Sequence, residues 1–309
     1  MLTPKLHQVP PGNPAIIDLA ALIIHIRAPR PTHIYNHMGR AIFRLGLTLL
    51  DACDPALAVD IHDEGAEKPF TASGLMRGEG VHFGDLEEGD LCWVRFTALS
   101  AATVAALEAY HRSASAELAS GGIVAVEIDH TLWQVQAVAW DESRLPGRCS
   151  YQQLIDRNRE VEPARSFALT FRSATTFRSS GVVFPLPRPD LVFGSLLNRW
   201  IAFTSHRLRD LPEDQVMVFL THHIVVSGYR LETATYKGKQ GSTEAGFVGE
   251  VSFELLRASD HLKKHQPELE ALLRRDFVWF ARTVSLLVDF AYYSGIGRKT
   301  TNGMGMAWA

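Results

Sequence analysis

Cysteine is scarce in this chain of 309 residues, and apolar runs long enough to cross a bilayer are missing. Cys53, Cys92 and Cys149 lie far apart and form no Cys-x-x-Cys pair, which argues against a zinc ribbon. A low, odd cysteine count is typical of a reducing compartment, so we expect a cytoplasmic protein. The apolar run Ala15–Ile26 is too short to span a membrane and is interrupted by an aspartate and a histidine. We therefore predict neither a membrane segment nor a signal peptide.

A strong overall charge is absent as well, since the net charge is −3 at pH 7. The charges are unevenly distributed along the chain. Between Arg144 and Arg209 there are eleven arginines, no lysine and four acidic residues. This local excess favours a basic face that binds a polyanion, although scattered, solvated arginines would give the same count.

No acidic residue follows Asp289, and the chain ends in a glycine-rich segment that carries Arg298 and Lys299. Glycine allows positive φ angles and close approach to another molecule, and successive N–H groups in such a bend attract anions. The segment therefore predicts a phosphate-binding loop, with an ordinary hairpin turn as the alternative. It is not a P-loop, because Lys299-Thr300 follows an arginine and too few residues remain for a helix. A dinucleotide fingerprint is disfavoured because no βα unit follows.

Hydrophobic periodicity divides the chain into two similar halves. The first half predicts strand, helix, two strands, helix and a broken strand region, with a short helical piece after the first helix: Leu19–Arg27, Tyr35–Leu50, Pro55–Ile61, Phe70–Ser73, Leu91–Thr97, Ala101–Leu118 and Ile123–Trp140. The second half repeats that order: Ser166–Phe171, Pro189–His206, Ile224–Thr235, Gly246–Leu255, Pro267–Tyr293 and Met304–Trp308. The charged, proline-containing Asp141–Ala164 is predicted to be a linker with a short helix around Tyr151–Arg157.

Each half thus has the β-α-β-β-α-β order of the ferredoxin-like fold. We predict an α+β protein with two tandem ferredoxin-like (RRM-like) domains, at residues 1–145 and 160–309. The glycine segment then lies between the last helix and the last strand, near an edge of the second sheet. The apolar face of Phe277–Tyr293 fits either a core or a partner.

Several stretches carry a resemblance to a known family. They are Gly295-Ile296-Gly297-Arg298-Lys299-Thr300 with Gly303-Met304-Gly305, Gly246-Phe247-Val248-Gly249-Glu250-Val251, Ser173-Ala174-Thr175-Thr176-Phe177-Arg178, Phe184-Pro185-Leu186-Pro187, Leu196-Leu197-Asn198-Arg199-Trp200 and Lys68-Pro69-Phe70-Thr71-Ala72-Ser73. Together they resemble the repeat-cleaving CRISPR-associated endoribonucleases, the sixth Cas family of the RAMP superfamily. The glycine segment is the most specific of these matches. The resemblance implies two tandem ferredoxin-like domains, in agreement with the periodicity, and cleavage of precursor CRISPR RNA within its repeats.

Cleavage of RNA through its own 2′-OH needs a base for the hydroxyl proton, a donor for the phosphate charge and an acid for the leaving oxygen. The resemblance implies that His62 is the general base or acid and that Lys68 stabilises the pentavalent phosphate. Such a reaction leaves a 5′-OH and a 2′,3′-cyclic phosphate. It needs no metal ion.

One departure from the family pattern concerns the first helix. Some members carry a tyrosine there that faces the histidine, whereas this chain has Arg44-Leu45-Gly46-Leu47. His37 is therefore a second catalytic candidate, with His33 or Tyr35 as further substitutes. A polar residue that opens the helix is the alternative explanation for His37.

The residues predicted to bind RNA fall into three groups. The glycine segment contributes Gly295, Gly297, Arg298, Lys299, Thr300, Gly303 and Gly305. A hairpin loop contributes Lys237 and Lys239, for which a solvated turn is an equally good explanation. Two weaker candidates are Arg178 and Arg199.

No metal and no other cofactor are predicted. His261 and His265 have the spacing of metal ligands, but they lack the glutamate of a zincin motif and enclose two lysines. The predicted partner is CRISPR repeat RNA. Subunits of a CRISPR effector complex and a second copy of the chain are left open, and no membrane partner is expected.

Two other functions stay open at this point. Some RAMP proteins hold RNA in effector complexes without cutting it, and the missing tyrosine fits such a subunit. The ferredoxin-like fold also serves enzymes and regulators of small anionic ligands, in which the glycine segment would bind a single phosphate.

Overall fold

The computed structural model describes residues 16–62, 67–204, 213–237 and 243–309, and two β-α-β-β-α-β units follow one another within them. The helices are α1 (Gly39–Asp51), α2 (Pro55–His62), α3 (Ala101–Ala119), α4 (Tyr151–Glu160), α5 (Pro189–Phe203), α6 (Glu213–His222), α7 (Asp260–His265), α8 (Pro267–Arg275) and α9 (Phe277–Ser294). The strands are β1 (Leu19–Arg27), β2 (Thr32–Ile34), β3 (Phe70–Ala72), β4 (Met76–Arg77), β5 (Gly80–Val81), β6 (Gly84–Leu86), β7 (Leu91–Ala98), β8 (Ala125–Ile128), β9 (Thr131–Trp140), β10 (Arg148–Cys149), β11 (Ser166–Thr175), β12 (Phe177–Ser179), β13 (Val182–Phe184), β14 (Ile224–Lys237), β15 (Thr243–Leu255) and β16 (Ala307–Trp308). Within these residues no helix is both long enough and apolar enough to pass through a membrane.

The first sheet is built around β1. This strand pairs antiparallel with β7 on one side and β9 on the other, and β3 pairs with the far side of β7. Successive side chains of a strand point to opposite faces. Leu22 and Ile24 accordingly enter the core that α1 and α3 cover, whereas Leu19 and Ala21 enter the core of the second unit. β1 is therefore shared by both cores.

The second sheet has the strand order β14-β15-β11-β16, and its paired strands are antiparallel. Phe171, Phe247 and Phe253 on its inner face belong to one core with the apolar residues of α5 and α9. The apolar face of α9, which fitted a core or a partner, is buried in this core.

The α+β fold with two tandem ferredoxin-like units is confirmed by the strand order. In the first unit β1 lies between β7 and β9, with β3 on the far side of β7. In the second unit β11 lies between β15 and β16, with β14 on the far side of β15. The predicted break in the strand region Ile123–Trp140 is confirmed too, at Asp129 and His130, which both have positive φ.

Several helix and strand bounds differ from those predicted. α1 begins at Gly39 rather than at Tyr35, because Met38 has a left-handed backbone with φ 53°. The predicted helix Pro267–Tyr293 is two helices, since Asp276 (φ −99°, ψ 18°) leaves the helical conformation. The last strand is limited to Ala307–Trp308. α6 and the β12–β13 hairpin had no counterpart in the sequence prediction.

The segment predicted as a linker, Asp141–Ala164, is an ordered part of the fold. β10 pairs with β1, and α4 packs against α9. The helix predicted around Tyr151–Arg157 is α4, which a Ser150 capping box starts. The domain division at 1–145 and 160–309 stays a prediction.

A buried polar network joins the two halves beside this segment. Arg95 of β7 pairs with Asp141 (Nε to Oδ2, 2.6 Å) and donates to the carbonyl of Tyr292 (3.0 Å). The Tyr292 hydroxyl in turn donates to the carbonyl of Asp141 (2.6 Å). Burial alone would raise the pKa of Asp141, but the Arg95 charge and the hydrogen bonds around the carboxylate outweigh it and hold that pKa below its ordinary value.

Candidate functional site

The glycine segment forms a compact loop at residues 294–305, between α9 and β16, which we call the glycine loop. Its two arms are joined by a bond from the Ile296 N–H to the Gly305 carbonyl (2.8 Å). Two more bonds attach the arms to the end of β11, since the Gly305 N–H donates to Ala174 (3.1 Å) and the Arg298 N–H to Thr176 (3.0 Å). The loop is therefore fixed to the second sheet along both arms.

The glycines of this loop are required by packing within the protein. A Cβ atom on Gly305 (φ 72°) would lie 2.1 Å from the Ile296 carbonyl oxygen, and one on Gly297 (φ 80°) would lie 2.6 Å from the Thr176 carbonyl oxygen. Close internal neighbours likewise surround Gly295 and Gly303. The N–H groups of all four glycines donate within the protein. The structure thus gives them an internal role in place of the predicted contact with phosphate.

Arg199 of α5 binds the backbone of the glycine loop. Its guanidinium is buried and donates to the carbonyls of Ser294, Gly295 and Gly297, the last at 2.8 Å. Glu67 lies 3.5 Å away on the solvent side. Burial lowers the pKa of Arg199, and Glu67 opposes this shift. The predicted contact of Arg199 with RNA needs correction, because its donors are already used to position the loop.

The glycine loop is seated on the first half of the chain. The Gly303 N–H donates to the carbonyl of Ala72 at the end of β3 (3.1 Å), and Ser73 and Gly303 form an isolated parallel bridge. The 3-10 turn of the loop, Thr300–Asn302, also contacts the start of α1. The loop thereby joins β3 and α1 of the first unit to the second unit.

Replacing Gly39 with alanine is expected to disrupt the contact between the glycine loop and α1. A Cβ atom at Gly39 would lie 1.8 Å from the Asn302 carbonyl oxygen. Alanine ordinarily favours a helix over glycine by up to about 1 kcal/mol, but the overpacking here should leave a net destabilisation of about 1–3 kcal/mol. Thermal unfolding measures it, with Gly80→Ala as the control because nothing lies within 4 Å of that Cβ position. Equal melting temperatures for the two variants would contradict the close packing.

His37 connects the start of α1 to the glycine loop. Its Nε2 lies 3.1 Å from the Asn302 carbonyl, so Nε2 carries the proton and donates it. The ring is 6% exposed and lies 4.1 Å, centroid to centroid, from the ring of Tyr236. Burial lowers the pKa of His37 to about 4, the bond to Asn302 opposes the shift, and the Lys299 charge adds to it. This neutral, enclosed imidazole contacts the loop. Its role as the second catalytic candidate stays a prediction, because the geometry of a ligand-free site does not by itself exclude a catalytic residue.

Acid is expected to destabilise the protein through His37. The unfolded histidine binds a proton below about pH 6.5, whereas the folded one does so only below about 4, so stability falls as the pH drops through that window. The loss should reach on the order of 3 kcal/mol near pH 4. His37→Gln, which keeps a donor for Asn302 without titrating, should lose less. Melting curves between pH 7 and pH 4.5 compare the two, and parallel losses in both proteins would contradict this assignment.

Of the two first-choice catalytic residues, Lys68 precedes the strand that the glycine loop contacts. Lys68 is partly buried and precedes β3 by two residues, and its neighbour Glu67 reaches Arg199 under the loop. His62 is the last residue of α2. Five residue steps separate His62 from Glu67, and an extended chain of that length spans at most about 18 Å. Backbone connectivity thus keeps His62 within that distance of the loop's support.

Two cations at the tip of the loop face an acidic residue of the β14–β15 hairpin. Lys299 Nζ lies 2.6 Å from Glu244 Oε1, and Arg298 Nη1 lies 3.4 Å from Glu244 Oε2. Lys299 also sits 4.4 Å above the ring centre of the buried Tyr236. Burial raises the pKa of the Tyr236 hydroxyl, the Arg40 charge opposes the shift and Glu244 adds to it, so Arg40 of α1 belongs to the same cluster.

The other predicted site residues are placed as follows. Thr300 is buried, with its methyl group against the loop glycines, so it stabilises the loop. Arg178 is exposed on β12 and donates to the Gly181 carbonyl (3.2 Å). Lys237 ends β14, and Lys239 lies outside the described residues. His33 bonds Asp85 (2.5 Å) and its ring lies 4.2 Å from that of the exposed Tyr35.

Sequence reasoning missed Glu244, Tyr236 and Arg40. Glu244 is more than fifty residues from the cations it pairs with, and no local pattern links the two. Arg40 is exposed and lies at i−4 from Arg44, so helical spacing had placed two arginines on one face of α1. That pattern was available in the sequence.

Comparisons with known proteins identify the proteins to which this chain is similar. Residues 169–307 match the model of the family described as CRISPR-associated endoribonuclease Cas6. A curated protein of that description from Streptococcus thermophilus is 30% identical over 141 residues, which are 45% of this chain and 48% of that protein. The matched part thus spans about half the length of this curated relative.

Solved structures extend the similarity to nearly the whole chain. A Cas6 product complex is 28% identical, with a TM-score of 0.66, over 94% of this chain and 98% of that one. A Cas6 substrate mimic complex is 26% identical, with a TM-score of 0.59, over 96% and 100%. The Cas6 of Thermus thermophilus, at 23% identity and a TM-score of 0.66 over 96% and 99%, supports the fold alone.

Proposed function

Because its second half matches the Cas6 family model and nearly its whole length is similar to Cas6 structures, we propose that the chain is a metal-independent endoribonuclease of the Cas6 family that cleaves precursor CRISPR RNA within its repeats. The observation that carries the proposal is the seating of the cationic glycine loop on β3 and α1. In this proposal the cations of the loop bind the same RNA on which Lys68 and His62 act.

In the proposed reaction, the 2′-OH at the scissile position attacks the adjacent phosphorus in line. His62 moves a proton, from the 2′-OH or to the leaving 5′-oxygen, since an imidazole exchanges protons near neutral pH. Lys68 stabilises the charge that develops on the phosphate. The products are a 2′,3′-cyclic phosphate and a 5′-OH.

Arg298 and Lys299 are proposed to bind RNA phosphates beside this centre, with Arg178, Lys237 and Lys239 extending the contact. Arg298 and Lys299 are each more than a quarter exposed and lie at the same end of the loop. Phosphate contacts of this kind make affinity fall steeply with salt concentration. Cytoplasmic location, effector-complex subunits and a second copy of the chain stay predictions.

A cleavage assay with a modified RNA tests the proposal. The substrate is RNA from the repeats of the host's own arrays, in EDTA, with a single 2′-deoxy sugar at the scissile position. We expect this substitution to abolish cutting, because the nucleophile is removed. The same substitution one nucleotide away should leave cutting intact. Continued cleavage at the deoxy position would contradict attack by the 2′-OH.

A non-catalytic RNA-binding subunit is the second candidate. The observation that favours it is the absence of a tyrosine from α1, where Arg44-Leu45-Gly46-Leu47 stands. The same assay distinguishes the two functions. A wild-type protein that binds its repeat RNA but never cuts it would support the binding subunit.

A further inference from the structure

Glu244 places a carboxylate between the two cations of the glycine loop. One of its oxygens bonds Lys299 and the other faces Arg298, at 2.6 and 3.4 Å. The three side chains are only 21–30% exposed, so the cluster is largely shielded from water. Shielding weakens the screening of such pairs relative to fully exposed ones.

The carboxylate has the chemistry of the ligand that the loop is proposed to bind. Two oxygens on one anionic centre bridge Arg298 and Lys299, as two non-bridging oxygens of a phosphodiester would. Lys299 has little freedom to serve both anions, because its ammonium also lies over the Tyr236 ring. The Arg298 backbone is fixed by its bond to Thr176. Carboxylate and phosphate therefore compete for the same donors.

We infer that Glu244 is an internal competitor that limits RNA affinity: a phosphate binds between Arg298 and Lys299 only by displacing the Glu244 carboxylate. The inference rests on the proposed function. The exchange subtracts a fixed amount from the affinity of any RNA that uses this site.

The inference predicts how the net charge of this cluster changes RNA affinity and its dependence on salt. The cluster of Arg298, Lys299 and Glu244 has a net charge of about +1, and it rises to about +2 in Glu244→Gln. RNA binding should then tighten by about 3- to 10-fold, the range of one partly shielded ion pair. The slope of log affinity against log salt should steepen by about 0.7–0.9, the value of one additional phosphate neutralised.

The experiment measures RNA affinity by fluorescence anisotropy from 50 to 300 mM salt, for repeat RNA and for its cleaved product. Glu250→Gln is the matched control, since it removes the same charge from an exposed position on the same strand. The triple variant Glu244→Gln, Arg298→Gln, Lys299→Gln is compared with the Arg298→Gln, Lys299→Gln double variant. Thermal unfolding checks that each variant folds.

We expect Glu244→Gln to tighten both RNAs and to steepen the salt slope, and Glu250→Gln to do neither. The effect should vanish when both cations are already glutamines. Affinity in Glu244→Gln that is unchanged or weaker, with clear wild-type binding, would overturn the inference alone. A wild-type protein that binds no repeat RNA would overturn the proposed function, and the inference with it.

Discussion

His62→Ala is expected to slow cleavage of repeat RNA by about 10²- to 10⁴-fold, the usual contribution of a general acid or base. RNA affinity should stay within about twofold, because the cations proposed to bind phosphate lie on the glycine loop rather than on α2. Single-turnover cleavage with enzyme in excess measures the chemical step, and anisotropy measures binding. The two readouts together separate a catalytic from a binding defect.

His130→Ala is the control for that experiment, since His130 is exposed in the turn between β8 and β9. It should cleave like the wild type. Unchanged cleavage by His62→Ala would remove His62 from the mechanism. In that case His37, the second catalytic candidate, would be the next residue to replace, followed by His33 or Tyr35.

Arg199→Met is expected to lower stability by about 3 kcal/mol or more, because each buried polar group left without its partner costs about 1–3 kcal/mol. The substitution keeps apolar volume but leaves three loop carbonyls without their donor. The glycine loop should loosen, and RNA affinity should fall by about tenfold or more, since preorganised cations bind at a lower entropic cost. Chemical denaturation and anisotropy measure the two effects.

Two further variants sharpen this second test. Arg199→Lys should recover little, because a single ammonium cannot reach several carbonyls as a planar guanidinium does. Arg230→Met, on the exposed side of β14, should change stability by less than about 0.5 kcal/mol. A stable Arg199→Met protein with normal RNA affinity would show that the loop holds its shape without this arginine.

The fold was predictable because its determinants are local. Apolar residues at strand and helix spacing define both β-α-β-β-α-β units, and tertiary packing then follows the same pattern. The end of α8 was less visible, since Asp276 is tolerated within a helix and only its backbone angles show the break. α6 begins within a polar stretch, so periodicity gave it no clear start.

The site was predictable in its location but not in its internal contacts. The sequence identified the glycine loop, yet treated its glycines as a surface for phosphate. Arg199 offered an unused hint, because it stands between Leu197 and Trp200 on a helix face that is otherwise apolar. Glu244 offered none, since its contact with Lys299 depends on how a distant hairpin lies across the loop. His62 and Lys68 stay predictions that the experiments above test.

β1 contributes Leu19 and Ala21 to one core and Leu22 and Ile24 to the other. A hinge motion that separates the two halves would therefore break one of these cores. Such a hinge motion would expose apolar side chains at about 2 kcal/mol for each large one. The two units therefore share one strand and do not move apart as independent bodies. For the RNA of the proposed function this means a preformed surface, to which side chains rather than whole units adapt.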